Sequence, residues 1–123
     1  MRIRTKKTSQ EITITRDDET GIFQVMPMDV AETNKLLKKF TSHEKHKGQV
    51  MPETNFLGFQ ISKTQKVITG WDLLDEDGEA YECNDANKKD TYVLNPDLIN
   101  EVLEKADKIA AGNLEVEQEQ EKN

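Results

Sequence analysis

EITITRDDETGIFQVMP, residues 11–27, decides how the chain begins to fold. Ile12 and Ile14 alternate with Thr13 and Thr15, the two-residue period of a strand with one face buried and one face wet. Asp17, Asp18, Glu19, Thr20 and Gly21 follow as a polar turn closed by glycine, and Ile22 to Met26 resumes with apolar and β-branched residues. The stretch predicts a β-hairpin, which Pro27 ends because proline has no N–H to donate to a ladder.

Downstream, Asp29 stands in an N-cap position with Glu32 three residues later, the spacing of a capping box. Val30, Leu36, Leu37 and Phe40 gather on one helical face, so a first helix is expected over about 30–43. Residues 43–55 are polar, contain Gly48 and Pro52, and are expected to form a loop. The pattern over 56–71 fits two structures. Phe56, Leu57, Phe59 and Ile61, then Val67, Ile68 and Trp71, suit two short strands around Ser62–Gln65, yet Leu57, Ile61, Ile68 and Trp71 also fall near one helical face. Gly58 and Gly70 favour strands, since glycine inside a helix costs about 1 kcal/mol relative to alanine. Asp75–Gly78 is a tight acidic turn that would return Glu79–Cys83 against the segment around Trp71 as a second hairpin.

A final helix is expected over 96–111. Asn95 can cap it, Pro96 suits its first position, Leu94 and Ile99 can form a hydrophobic staple, and Leu98, Val102, Leu103, Ala106, Ile109 and Ala110 make its apolar stripe. Gly112 stops it. The fold class is therefore α+β: a small antiparallel sheet of two hairpins packed with two helices, about 30–43 and 96–111. Residues 9–112 form one domain, 1–8 a flexible basic N-terminus and 113–123 a disordered acidic tail, NLEVEQEQEKN, too polar to offset its ordering entropy.

One domain is also what 123 residues permit. The net charge of -7 is unevenly spread: up to Lys66 there are twelve Lys and Arg against eight Asp and Glu, a net +4, and from Val67 onward five against sixteen, a net -11. An acidic chain gains no counterion-release free energy on DNA or RNA, so no nucleic-acid partner is expected. No apolar run approaches the roughly 20 residues of a membrane span, and MRIRTKKTSQ lacks the apolar stretch of a signal peptide, which places the chain in the cytoplasm and away from membranes.

Candidate chemistry is sparse. Aligning Gly78 with the glycine of an EF-hand loop places Asp75 and Asp77 correctly but puts Leu73 and Asn84 where the first and twelfth positions need carboxylates. His43 and His46 have a helical spacing without further ligands nearby, and a single Cys83, read as a half-buried strand residue, makes no internal disulfide. No phosphate-binding glycine loop or nucleophile elbow occurs. No catalytic residue, cofactor or metal is expected, and the chain is read as non-enzymatic. Trp71, the only tryptophan, is a core anchor or a partner-binding hot spot.

ITGWDLLDEDGEAYEC, NKK and LNPDLINEVLEKADKIA, followed by a Glu-rich tail, resemble in that order small tail proteins of bacteriophages and prophages, of the tail assembly chaperone kind. TITRDDETGIFQVMPMDVAETNKLLKKF is similar to the strand, hairpin, proline and Leu-rich helix of the same group, so the resemblance spans roughly Ile12 to Ile109. It implies a protein of the host bacterial cytoplasm that binds the tape measure protein, keeps its hydrophobic helices soluble and brings tail tube subunits to it. Leu36, Leu37 and Phe40, flanked by Lys35, Lys38 and Lys39, together with Trp71, are the expected partner-binding residues. The rival expectations are a virion component such as a tail-terminator or connector protein, and an acidic host-directed inhibitor that mimics nucleic acid. Oligomeric state is left open by the sequence.

Overall fold

The computed structural model describes residues 1–3, 5–46 and 48–112; the expected acidic tail lies outside the described residues. The expected hairpin forms from β1 (Gln10–Arg16) and β2 (Glu19–Val25), with Arg16 opposite Glu19 and Gln10 opposite Val25. Its turn is tighter than the sequence suggests. Only Asp17 and Asp18 lie outside the strands, both with positive φ, 51° and 64°. This is the two-residue geometry whose twist matches that of the flanking strands, and the short polar side chain of Asp tolerates it. Glu19, Thr20 and Gly21 therefore belong to β2. Ile12, Ile14, Phe23 and Val25 are buried, while Glu11, Thr13 and Thr15 face solvent.

The helix α1 (Val30–Lys39) begins as expected. Asp29 Oδ1 accepts from the Glu32 N–H at 2.7 Å, and Glu32 Oε1 accepts from the Asp29 N–H at 3.5 Å. Lys7 of the basic N-terminus forms an ion pair with Glu32. The helix stops at Lys39 rather than near His43, because Thr41 opens a strand. The expected loop is a second hairpin, β3 (Thr41–His46) and β4 (Gln49–Thr54), turning at Gly48 with φ 81°. The Thr41 and Thr54 hydroxyls lie 3.0 Å apart across it, and Thr41 Oγ1 also donates to the Leu37 carbonyl at 2.7 Å.

The favoured strands over 56–61 are overturned: α2 (Phe56–Val67) occupies that stretch and Ser62–Gln65. Asn55 Oδ1 accepts from the Gly58 N–H at 3.0 Å, capping the helix. Gly58 sits inside α2 because Phe40 lies against it; a Cβ there would stand 2.8 Å from Phe40 Cε1. The glycine thus marks a close approach between two helices. The strand expected around Ile68 and Trp71 does form, as β5 (Ile68–Trp71), which pairs with β2 through Val25 opposite Ile68, Gln24 opposite Gly70 and Phe23 opposite Trp71.

The sheet order is β1-β2-β5, so the third strand comes from beyond α2. The expected second hairpin around the acidic turn is reduced to one bridge, Leu74 to Ala80, with the Tyr81 N–H donating to the Leu73 carbonyl at 2.9 Å. Asp75 organises this turn instead: its Oδ1 accepts from the Asp77 and Glu79 N–H groups at 2.9 and 3.0 Å, leaving few backbone groups for a ladder.

The segment holding the polar NKK is helical. It forms α3 (Asp85–Leu94), capped by Asn84, whose Oδ1 accepts from the Asn87 N–H at 2.8 Å. Its Lys88 is buried along its stem, with Nζ donating to the Gln65 carbonyl at 3.1 Å. The last helix, α4 (Pro96–Ala110), starts on Pro96 as expected, but Asn95 makes no side-chain cap. Leu94 is exposed while Ile99 is fully buried, so the expected staple adds little burial. Ile99, Val102, Leu103, Ala106 and Ile109 of α4 join Ile12, Ile14, Phe23 and Val25 in the core, together with Met28, Leu36, Phe59, Val67, Ile68 and Tyr92. The α+β class stands, with four helices among the described residues where two were expected.

Candidate partner-binding surface

The four residues singled out by sequence occupy different environments. Leu36 is buried and belongs to the core. Phe40 is half-buried against Gly58, with Lys39 Nζ 5.9 Å from its ring centroid. Trp71 meets Phe23 edge-on, centroids 6.4 Å apart, and stacks on Tyr81 at 6.0 Å with the rings 7° from parallel. Its Nε1 donates to the Tyr81 carbonyl at 2.6 Å. Two aromatic neighbours and a satisfied N–H make Trp71 an anchor holding the segment after β5 against the sheet. Leu37 alone of the four is classed as exposed.

Other exposed apolar side chains lie on α2 and α3. Gln65 Nε2 donates to the Asp85 carbonyl at 3.1 Å, and Lys88 reaches back to Gln65, so the C-terminal end of α2 meets the N-terminal end of α3. The two helices pack against each other from that joint. Phe56 and Leu57, 68% and 59% exposed, open α2; Val93 and Leu94, 53% and 77% exposed, close α3. The Asn55 N–H donates to the Phe40 carbonyl at 2.8 Å, which ties this end of α2 to the end of α1 carrying Leu37, Lys38 and Lys39. Both lysines are exposed. Exposed apolar side chains thus sit on α1, α2 and α3, with two exposed lysines next to Leu37 in the chain.

Sequence reasoning misses Phe56 and Leu57 because the pattern over 56–61 favours a strand, and Leu94 because it is expected in a staple; Val93 falls in no expected element.

A second concavity, about 790 Å³, lies between the hairpin and the acidic turn, floored by Ile14, Phe23, Leu73 and Leu98. Three of its polar side chains already have structural partners. Asp72 Oδ1 accepts from the Ile22 N–H at 2.8 Å, Asp75 holds its own turn, and Arg16 Nη2 donates to Glu101 Oε1 at 2.8 Å. The remaining chemical candidates are likewise dispersed. His43 and His46 lie on β3 rather than on a helix. Cys83 lies just before α3 rather than in a strand; burial pushes its thiol above the ordinary value, Lys88 opposes that shift and Asp85 adds to it. A thiol held protonated in this way is a poor nucleophile. Among the described residues no group of three or more His, Cys, Asp or Glu side chains is placed to hold a metal ion, and no helix is long and apolar enough to cross a membrane. Comparison of the chain with family profiles, with curated proteins and with solved structures finds no match.

Proposed function

We propose that the chain is a non-enzymatic assembly factor of the phage tail assembly chaperone kind, working in the host bacterial cytoplasm, and that it binds apolar helical segments of a tape measure protein. The observation that carries this reading is the exposure of Leu37, Phe56, Leu57, Val93 and Leu94 on three helices, which we read as one apolar shelf. Apolar surface of this kind suits an amphipathic partner helix, which hides its own apolar face there. Lys38 and Lys39 beside the shelf favour acidic residues on the partner, while the net charge of -7 opposes aggregation of loaded complexes.

The test is co-expression with the tape measure protein, comparing the wild type with Leu57→Asp and Leu94→Asp. Both side chains are exposed, so the thermal midpoints should stay within a few degrees of wild type, given that surface substitutions usually change stability by about 0.5 kcal/mol or less. Capture should be lost in both. Folded variants that capture the partner as well as wild type would remove the shelf from the binding surface. Retention of the protein in finished particles would make it a structural tail component instead.

A further inference from the structure

β1 is an outer strand of its sheet, with β2 on one side and, among the described residues, no strand on the other. Its two-residue turn makes Arg16 and Glu19 the closing hydrogen-bonded pair. The backbone groups of Gln10, Ile12, Ile14 and Arg16 therefore face β2, and those of Glu11, Thr13 and Thr15 face outward. Among the described residues, none of these three bonds its N–H or C=O to another backbone group outside the sheet, and all three are exposed. Natural sheets usually guard such an edge with proline, lysine, a bulge or a very short strand. β1 contains no proline or lysine, its two charged side chains, Glu11 and Arg16, are engaged by Gln24 and Glu101 of the same chain, and the β1–β2 register runs unshifted over seven residues. Among the described residues, Thr5–Thr8 line a concavity with Gln10, Pro27, Met28 and Ile109 and make no backbone bond to Glu11, Thr13 or Thr15. The opposite edge differs: β5 has four residues and an irregular register.

We propose that the β1 edge pairs with the β1 edge of a second copy of this chain, antiparallel about a two-fold axis through Thr13. The strand is self-complementary in that register. Glu11, Thr13 and Thr15 meet Thr15, Thr13 and Glu11 of the second copy, so every outward N–H and C=O finds a partner. Ile12 falls opposite Ile14 of the second copy on the core side, extending both apolar faces across the joint. A slip of one residue sets core faces against wet faces, and a slip of two leaves outward groups unpaired. No like charges stand opposite each other: Glu11 faces Thr15, and its carboxylate already accepts from Gln24 Nε2 at 3.2 Å within its own sheet. Arg16 faces Gln10. The product is a continuous six-stranded sheet built from two three-stranded ones.

The full chain is tested by light scattering and by residue-resolved amide exchange over a dilution series from about 10 μM to about 1 mM, where mass action governs association. The mass should rise from 14.1 kDa towards twice that value. Exchange at Glu11, Thr13 and Thr15 should slow by about tenfold or more with concentration, while Ile12 and Ile14, already bonded to β2, should stay protected throughout. Thr13→Lys places like charges on the axis and should remain monomeric with Ile12 and Ile14 still protected. If that variant fails to fold, the alternating, concentration-dependent protection in the wild type still decides. A constant 14.1 kDa mass with fast exchange at the three positions overturns the proposal. So does a dimer that survives in folded Thr13→Lys, or protection that appears only when a tape measure segment is added.

Discussion

Replacing Gly58 with alanine reverses the usual expectation for a glycine inside a helix. Helix propensity alone would make the variant about 1 kcal/mol more stable. A Cβ at this position, however, would stand 2.8 Å from Phe40 Cε1, 2.9 Å from Phe40 Cδ1 and 2.8 Å from Asn55 Nδ2. Contacts that short require the ring and the capping amide to move. Overpacking of this kind costs about 1–3 kcal/mol, and disturbing the Asn55 cap adds up to about 1 kcal/mol. The steric cost exceeds the propensity gain, leaving Gly58→Ala less stable than wild type by about 1–2 kcal/mol. At a urea slope of about 2 kcal/mol/M, the midpoint should fall by about 0.5–1 M.

The mechanism predicts a change of sign in a second background. Phe40→Ala removes the ring that the new Cβ would strike, and there Gly58→Ala should become neutral or stabilising by up to about 1 kcal/mol, a coupling well within the range of contacting residues. The assay is urea unfolding followed by the fluorescence of Trp71, whose surroundings of Phe23 and Tyr81 are lost on unfolding. A higher midpoint for Gly58→Ala in the wild-type background would show that α1 and α2 do not approach at Phe40 as described, and the reason given for the glycine would fail.

Two further outcomes probe buried polar groups. Lys63 is buried and donates to Asp107 Oδ2 at 2.8 Å, so Asp107→Ala should cost about 1 kcal/mol by leaving the ammonium without its carboxylate, moderated because Asp107 is more than half exposed. Lys63→Met, which keeps the packing stem without the charge, should be closer to neutral in the same thermal melts. Cys83 gives a pH dependence. Its thiol in the folded chain titrates above the ordinary 9.0, so the unfolded chain loses the proton first; the thiol's contribution to stability is intact below that value and declines as pH rises through it. Cys83→Ala should flatten the alkaline fall in midpoint, and an unchanged alkaline profile would show that the thiol is not the group responsible.

Elements with a strong local signature were legible in the sequence. Period-two alternation fixed the faces of β1 because Ile12 and Ile14 are buried while Thr13 and Thr15 are not. The Asp29 and Glu32 spacing set the start of α1, and Pro96 followed by a recurring apolar stripe set α4. In each case the signal and the structure draw on the same few neighbouring residues. Periodicity gave no comparable guide for β3 and β4, whose polar sequence carries no apolar alternation and whose pairing comes from backbone bonds and the Thr41–Thr54 contact. Gly58 misdirected the choice over 56–61, because its reason for being there is Phe40, eighteen positions away. The helix α3 hid behind NKK, where burial of the Lys88 stem needs a carbonyl supplied by Gln65 of α2.

The candidate surface divides the same way. Leu37 was visible as an apolar residue among lysines on a predicted helix, whereas Leu36, its neighbour in the chain, turned inward. Whether an apolar side chain is core or surface depends on which face of its helix meets another element, a fact of packing rather than of spacing. Phe56, Leu57, Val93 and Leu94 stay exposed although α2 and α3 pack together through Gln65, Asp85 and Lys88. The sequence by itself determined the local strands, turns and caps through steric and hydrogen-bonding preferences of adjacent residues. Tertiary structure decided which apolar residues were left over, since burial is allotted by contacts between segments distant along the chain.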